Sequence, residues 1–355
     1  MSDVPMPAPA RLRRSGDAPA IVARAVDDAG RITGFGTDVD ATIGWAVGIG
    51  HSAPLPGHGE TSALWELLAT TSALDVAAAR ILEPHLDALA ILAQAEAEGT
   101  GPALAEIDAD ATSSWGVYAA EGPQGRLNAR AEGSTWRLSG TRPWCSLAGS
   151  LSHALVTAWV DDGERRLFAV DLRQPMVVPR IGPWHARGLA QIVSAAVDFS
   201  DAVAVPIGET SWYLRRPGFA WGGMGVAAAW WGGAAPITEA LTRAGGRPDP
   251  DQLALSHLGE ADAISWSVRA VLADAASAID EGVDRDEARL LAERVRAHTA
   301  AGVERILVLA DHALGPAPLT TDEDHARRVA DLRIYLRQHH AERDLARLGR
   351  LLTAR

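Results

Sequence analysis

The hydrophobic pattern of this chain changes its period twice, and no other feature of the sequence constrains the fold as much. Apolar residues recur at helical spacing over residues 62–99, alternate in short runs over residues 115–199, and recur at helical spacing again after Pro206. A period of about 3.6 residues is typical of an amphipathic helix, and a period of two is typical of a half-buried strand. The pattern therefore predicts an α+β chain that is helical, then β, then helical.

The first part of the chain carries weak and then strong helical signals. Proline, glycine and alanine are frequent over residues 1–60, where the sequence predicts one short helix at residues 21–28. Leucines at helical spacing predict a helix at residues 62–70, and the run Ser-Ala-Leu-Asp at residues 72–75 is similar to a capping box that opens another. Pro84 removes one backbone donor, so we expect either a kink or a new helix there.

The middle part predicts a sheet of short strands. Alternation marks strand candidates at residues 135–138, 154–160, 167–170 and 194–199, and the run Asp-Asp-Gly-Glu at residues 161–164 is typical of a turn. Because no helical pattern lies between these runs, the connections are short. The sheet is therefore predicted to be mostly antiparallel, as a small barrel or a sandwich.

The last part predicts four long helices. An alanine- and glycine-rich segment near residues 222–240 precedes three apolar stripes at helical spacing, at residues 264–279, 291–313 and 329–339. The last helix is predicted to run unbroken from the acidic residues at Asp322 to the arginines near Arg350. A four-helix bundle is the simplest packing of four such helices.

Composition excludes several classes of function. The net charge is −12 and no basic stripe is present, which argues against nucleic acid as a partner. All 33 residues in the lysine-plus-arginine total are arginine, so lysine Schiff-base chemistry is excluded. Cys145 is the only cysteine, which excludes an internal disulfide and a zinc site built from cysteines.

No metal site, membrane span or export signal is predicted. The eleven histidines include no ligand pair at metal-binding spacing. No apolar run is long enough for a transmembrane helix, and the arginines at residues 11–14 are not followed by the apolar stretch of a secretory signal. We therefore expect a cytoplasmic protein.

One glycine-rich run is similar to a dinucleotide-binding fingerprint. It reads Gly-Met-Gly-Val-Ala-Ala at residues 223–228, but no buried strand precedes it and no alternation of strands and helices surrounds it. We interpret it as small residues that let two helices pack closely. No Gly-x-Ser-x-Gly motif of a serine hydrolase is present.

Two polar clusters remain as candidate sites. The first is residues 139–146, a strand end that carries Trp144 and Ser146, and a planar indole beside hydroxyls suits a flavin ring. A plain core tryptophan is the alternative. The second is residues 337–344, which includes His339 and His340 in a helix with apolar flanks. It is either a site or a solvated face with salt bridges.

Taken together, these segments resemble the acyl-CoA dehydrogenase family. The run Gly-Thr-Arg-Pro-Trp-Cys-Ser at residues 140–146 is similar to a family motif, and residues 115–121 resemble the flavin-facing strand before it. Residues 184–199 resemble the segment that ends the β domain, and residues 315–319 the glycine turn between the last two helices. The resemblance spans roughly residues 62–349.

The resemblance implies a fold and a cofactor. The fold is an N-terminal helical domain at residues 1–110, a middle antiparallel β domain at 111–205 and a C-terminal four-helix bundle at 206–355. The cofactor is non-covalent FAD. Its implied contacts are Trp115, Glu121, Trp144, Cys145, Ser146 and Ser194, with Arg243 and Arg247 in the place of the arginine that holds a partner subunit's pyrophosphate.

The resemblance also implies a place for acid–base chemistry. The family's catalytic glutamate lies eight residues after an Arg-Asp pair, and counting eight from Asp331 reaches His339. We therefore expect His339 or His340 to act as acid, base or substrate contact. The implied activity is FAD-dependent oxidation, by dehydrogenation or monooxygenation, of an acyl-CoA or a related small molecule. The alternative is a catalytically silent flavin-binding or structural subunit that pairs with a homologous active chain.

An oligomer is expected, of identical chains or with a homologous subunit. Trp230 and Trp231 lie among many small residues, and an exposed helix of this composition would favour association. The alternative is that both tryptophans belong to the core of the bundle.

Overall fold

The computed structural model of the protein describes residues 9–13, 17–122, 125–133, 135–161, 163–180, 182 and 184–354. Helices come first, strands follow, and helices end the chain. This is the order that the change of hydrophobic period predicts.

Four helices form the first part. They are α1 (Ala20–Ala29), α2 (Val39–Gly50), α3 (Thr61–Leu74) and α4 (Val76–Ala97). The side chain of Asp75 accepts a hydrogen bond from the backbone of Ala78 and so caps α4. Pro84 lies inside α4, which continues through it as one helix. The sequence did not predict α2, because its residues are apolar on most faces and show no stripe.

Seven strands follow within the described residues. They are β1 (Trp115–Tyr118), β2 (Leu127–Glu132), β3 (Thr135–Ser146), β4 (His153–Asp161), β5 (Glu164–Asp171), β6 (Val177–Arg180) and β7 (Ser194–Ile207).

The strand pairings close into a ring. Strand β4 pairs with β5, β5 with β7, β7 with β3 and β3 with β2, all antiparallel. Strand β2 then returns to β4 in parallel, through Asn128 and Trp159. Strand β1 pairs in parallel with β4, and β6 pairs with β7. The mostly antiparallel sheet is therefore a barrel, with parallel pairing only at β4.

Seven helices form the last part within the described residues. They are α5 (Trp212–Arg215), α6 (Gly218–Gly245), α7 (Gln252–Asp280), α8 (Arg285–Leu314), α9 (Ala317–Thr321), α10 (Glu323–Tyr335) and α11 (Glu342–Thr353).

The last predicted helix is not continuous. A 3-10 turn at Leu336–Gln338 follows α10, His339 is extended, and Ala341 has a φ of 46° at the start of α11. One long-range and one local hydrogen bond hold this break: the guanidinium of Arg296 donates to the carbonyl of Gln338, and the carboxylate of Asp344 accepts from the backbone N–H of His340. These bonds satisfy backbone groups that a continuous helix would pair internally.

Helix α6 lies in the middle of the bundle, where its small residues allow close packing. A Cβ added at Gly225 would lie 3.3 Å from Leu68 of α3, and one added at Gly232 would overlap the backbone of Ala69. This supports the interpretation of the glycine-rich run as a packing surface. Trp230 is 0% exposed and Trp231 is also buried, so the expectation that they form an exposed apolar surface is wrong and the core alternative is correct.

The part of the chain that the structure describes contains neither a membrane-spanning helix nor a metal-binding group of side chains. None of its helices combines the length and the hydropathy needed to cross a membrane. None of its groups of histidine, cysteine, aspartate and glutamate has an arrangement that could hold a metal ion.

Candidate functional site

The exposed end of β3 presents an indole ring. Trp144 has a φ of 59° and is 56% exposed, and the pairing of β3 with β7 shifts register between Arg142 and Cys145. A bulge of this kind turns a side chain away from its expected face. A left-handed non-glycine residue costs about 1–3 kcal/mol, so the surrounding barrel must hold Trp144 in place.

Cys145 points the other way. Its thiol is buried in the barrel, and burial raises the pKa of this thiol to about 12. The side chain is therefore an inert part of the core, and only the backbone of Cys145 is left for the cofactor contact that the resemblance implies.

A buried arginine fixes the base of this strand end. Arg142 donates from Nη1 to Glu121 Oε1 at 2.7 Å, from Nη2 to Thr157 at 2.7 Å and from Nε to the carbonyl of Tyr118 at 3.1 Å. Arg165 also donates to Glu121, at 2.9 Å. Burial raises the pKa of Glu121, but the two arginines outweigh it and hold that pKa below its usual value. The Glu121 carboxylate is thus an anchor for the loop after β1.

Two of the expected cofactor hydroxyls meet at the end of β3, two residues after Trp144 in the chain. The Oγ atoms of Ser146 and Ser194 are 2.7 Å apart, and Arg80 Nη2 of α4 donates to Ser146 Oγ at 3.2 Å. The hydroxyl of Tyr118 donates to the carbonyl of Ser146 at 2.9 Å. The end of β3, the start of β7 and the side of α4 therefore share one polar cluster.

Three other expected cofactor contacts lie elsewhere. Trp115 is buried in a core cluster, with its ring 5.0 Å from that of His153. Arg243 and Arg247 lie at the far end of α6 and just beyond it, where Arg243 forms an ion pair with Glu239.

A cavity that sequence reasoning missed lies between α3, α4 and α6. Its enclosed volume is only about 30 Å³, and one side opens to solvent. Its lining is mainly apolar: Leu64, Trp65, Leu68, Leu86 and Trp221, with the carboxyl groups of Glu83 and Asp87 on the α4 side.

Glu83 joins this cavity to the polar cluster. Its Oε2 lies 3.5 Å from Arg80 Nη1 and accepts from the hydroxyl of Tyr335 at 3.4 Å. Burial raises the pKa of Glu83 to about 7, against the lowering effect of Arg80. Asp87 also has a pKa raised by burial, which the pairing with Arg216 opposes. A carboxyl group that changes charge near neutral pH can take up and release protons.

The two expected catalytic histidines flank one carboxylate. His339 is 8% exposed, and its Nε2 lies 3.9 Å from Asp344 Oδ2. His340 is exposed, with Nδ1 3.5 Å from Asp344 Oδ1. Burial lowers the pKa of His339, although Asp344 opposes it. The imidazole of His339 is therefore neutral at pH 7 and able to accept a proton.

Arg296 of α8 links the cavity to the histidine loop. It donates at 2.9 Å to the carbonyl of Gly223 on α6 and at 2.9 Å to the carbonyl of Gln338. Its guanidinium lies 4.9 Å from the ring centroid of Trp230. One side chain thus fixes the spacing between the cavity wall and the loop that carries His339.

A sequence signal for Glu83 was present. Arg80, Glu83 and Asp87 are spaced by three and four residues, so they share one face of α4 among apolar neighbours. A charged face on a helix that is otherwise buried indicates a site or an ion-pair network. The apolar periodicity alone, from which the helix was predicted, does not contain this signal.

Comparison with known proteins identifies the fold. No family model matches the chain, and no curated protein sequence matches it significantly. Solved structures match over nearly the whole chain. KijD3, in complex with FMN and an amino-keto-sugar nucleotide, has a TM-score of 0.76 at 18% identity and covers 95% of this chain and 94% of its own.

Two further solved structures agree. A variant of the Tcur3481–Tcur3483 steroid ACAD has a TM-score of 0.72 at 22% identity, with 94% and 96% of the two chains covered. Dibenzothiophene monooxygenase (TdsC) from a Paenibacillus species has a TM-score of 0.71 at 16% identity, with the same coverage. The chain therefore has the acyl-CoA dehydrogenase-like fold that its sequence motifs predict.

Proposed function

We propose that this protein is a flavin-dependent oxidoreductase that acts on an acyl-CoA or a related acyl or small-molecule substrate, by dehydrogenation or monooxygenation. The observation that carries the proposal is the exposed, left-handed Trp144 at the strand end that also carries Ser146, whose hydroxyl contacts that of Ser194. The fold supports it, because structures of KijD3 and TdsC with this fold are described with FMN.

The residues at the end of β3 fit a flavin. A flavin ring is planar, with apolar faces and polar edges, and more than half of the Trp144 surface is exposed to stack on it. Ser146 and Ser194 offer hydroxyls that can donate to or accept from a ring edge. When bound, the flavin supplies the acceptor for the electrons of the substrate.

We propose FAD rather than FMN as the cofactor, with Arg243 and Arg247 as contacts for its pyrophosphate. As the sequence resemblance implies, these arginines are assigned to the flavin of a neighbouring subunit. The FAD proposal therefore includes an oligomer. Extraction of the bound flavin and chromatography against FAD and FMN standards tests it. Arg243→Ala with Arg247→Ala should weaken retention of FAD and leave retention of FMN unchanged.

His339 is the proposed acid–base group of the loop between α10 and α11. Its neutral imidazole accepts a proton, and the carboxylate of Asp344 at 3.9 Å then stabilises the imidazolium. Exposed His340 is the proposed contact for a substrate group at the mouth of the site. Turnover that is lost in His339→Ala while flavin is retained supports an active enzyme. Unchanged turnover in this variant would contradict the assignment of His339, and wild type that binds flavin without turning over any substrate supports the silent subunit.

Flavin retention by the purified protein tests the proposal most directly. We expect visible flavin absorbance after gel filtration with added cofactor, followed by bleaching when the substrate is added anaerobically. Trp144→Ala should weaken flavin retention, because it removes the ring on which the flavin stacks, and an aromatic pair contributes about 0.5–1.5 kcal/mol beyond the area it buries. Trp266→Ala is the control, since Trp266 is 54% exposed on α7. A colourless protein at high cofactor concentration would contradict the proposal.

A further inference from the structure

We propose that Glu83 exchanges a proton with a small, largely apolar substrate group held in the cavity between α3, α4 and α6. The inference rests on the proposed function for the oxidation that accompanies this exchange. The proton step itself is argued from the geometry of the cavity. Glu83 lies outside the sequence segments in which acid–base residues were expected.

The cavity gives the substrate group a place beside the carboxyl. Trp65 and Trp221 contribute two indoles to its lining, and three leucines of α3 and α4 also line it. Such a lining binds an apolar body and leaves orientation to a few polar groups. A substrate group with negative charge is disfavoured, because Glu83 and Asp87 both face this space.

The contacts of Glu83 leave its carboxyl able to react. Tyr335 Oη and Arg80 Nη1 lie 3.4 and 3.5 Å from Oε2, longer than the usual range of about 2.7–2.9 Å for charge-assisted bonds. The oxygen therefore has capacity for another partner. Arg80 and Tyr335 hold the carboxyl in place without neutralising it by a short ion pair.

The titratable groups around Glu83 come from four helices. Helix α4 contributes Arg80 and Asp87, α5 contributes Tyr213, α8 contributes Arg296 and α10 contributes Tyr335. Burial raises the pKa of Glu83 most, and the two arginines and the hydroxyl of Tyr335 lower it, with a final value of about 7. Both protonation states are therefore populated at neutral pH, as general acid–base catalysis requires.

The proposed step moves one proton from the substrate to Glu83. The ionised carboxylate takes the proton from a weakly acidic X–H bond of the substrate, so that an O–H bond forms on Glu83, the X–H bond breaks and the electron pair stays on the substrate. Arg80 connects this event to the flavin-facing side, because its other amino group donates to Ser146 Oγ. Protonated Glu83 returns the proton to water through the open mouth of the cavity.

Infrared titration of the protein without substrate tests the protonation of Glu83. The carbonyl band of a neutral carboxyl should disappear with a midpoint near pH 7, and this component should be absent from Glu83→Gln. Asp331, whose pKa burial raises to about 6, contributes to both proteins and cancels in the difference. Tyr335→Phe should raise the midpoint, because it removes a hydrogen bond that favours the anion. Identical spectra of wild type and Glu83→Gln would overturn the proposal.

A matched pair of probes tests the cavity. Calorimetry with butyramide and with butyrate compares a neutral and an anionic group of the same size. Butyrate should bind roughly tenfold more weakly at about pH 8 than at about pH 6, as the neutral form of Glu83 becomes rare, while butyramide should bind equally at both. Glu83→Gln should reduce the pH dependence to the part that Asp87 contributes, and Glu96→Gln, on the exposed part of α4, should keep it in full. Absence of butyramide binding would overturn the cavity as the site.

Flavin absorbance separates this inference from the proposed function. Wild type and Glu83→Gln should retain flavin equally, since Trp144 and the serines are unchanged. If neither protein retains flavin, the proposed function fails. If both retain it and the infrared and butyrate results show no dependence on Glu83, only the role of Glu83 fails.

Discussion

Glu83→Gln should make the protein more stable at alkaline pH and leave it unchanged at acidic pH. Burial raises the pKa of this carboxyl from 4.5 to about 7, and one pKa unit corresponds to about 1.36 kcal/mol. The ionised carboxylate therefore costs the folded state about 3 kcal/mol. Glutamine has nearly the shape of the neutral acid and does not incur this cost.

The sign follows from proton binding. Between pH 4.5 and about pH 7 the folded state keeps a proton on Glu83 that the unfolded chain has lost. The contribution of Glu83 to the free energy of unfolding is therefore largest below its pKa in the unfolded chain. It falls as the pH rises and is lost above its pKa in the folded protein. The free energy of unfolding of the variant should equal that of wild type near pH 4.5 and should exceed it by about 3 kcal/mol above about pH 8.

Urea unfolding followed by tryptophan fluorescence at several pH values measures this difference. Glu96→Gln on the same helix is the control, and it should parallel wild type at every pH. If the free energy of unfolding of Glu83→Gln also follows that of wild type at every pH, the Glu83 carboxyl is solvated in the folded state. The burial argument for its pKa would then be refuted.

Two further predictions concern the backbone. Ala341→Gly should stabilise the protein by about 0.5–1 kcal/mol, because the φ of 46° at this position suits glycine; an unchanged urea midpoint would contradict the strain. Gly232→Ala should destabilise by about 1–3 kcal/mol through overlap with the backbone of Ala69. Gly259→Ala, in an open part of α7, should stabilise by up to about 1 kcal/mol; equal melting temperatures for these two variants would refute the packing argument.

The order of elements could be predicted because it depends on local patterns. Alternation and helical spacing are properties of short stretches, and so is the cap at Asp75, which accepts from Ala78 in the structure. The break between α10 and α11 could not be predicted in this way. It depends on Arg296, more than forty positions earlier in the chain, whose guanidinium donates to the carbonyl of Gln338.

In the candidate site, too, local features could be predicted from the sequence and long-range contacts could not. Trp144 and Ser146 lie two positions apart at the end of one strand, so the sequence alone shows their motif. The surroundings of Glu83 are not local, since its partner Tyr335 is 252 residues away. The sequence also could not decide whether Trp230 and Trp231 are exposed or buried, because composition does not distinguish a core helix from an interface helix. Only the packing of α6 inside the bundle shows that both are core.

The closed ring of strands also bears on how the protein behaves at high concentration. Within the described residues, every strand of the ring has partners on both sides, so the ring offers little open backbone to another molecule. The peripheral strands β1 and β6 are four residues long, and Pro179 in β6 has no N–H to donate. Strand edges therefore leave few backbone groups on which a second chain could extend the sheet, and association of chains would have to use the helices instead.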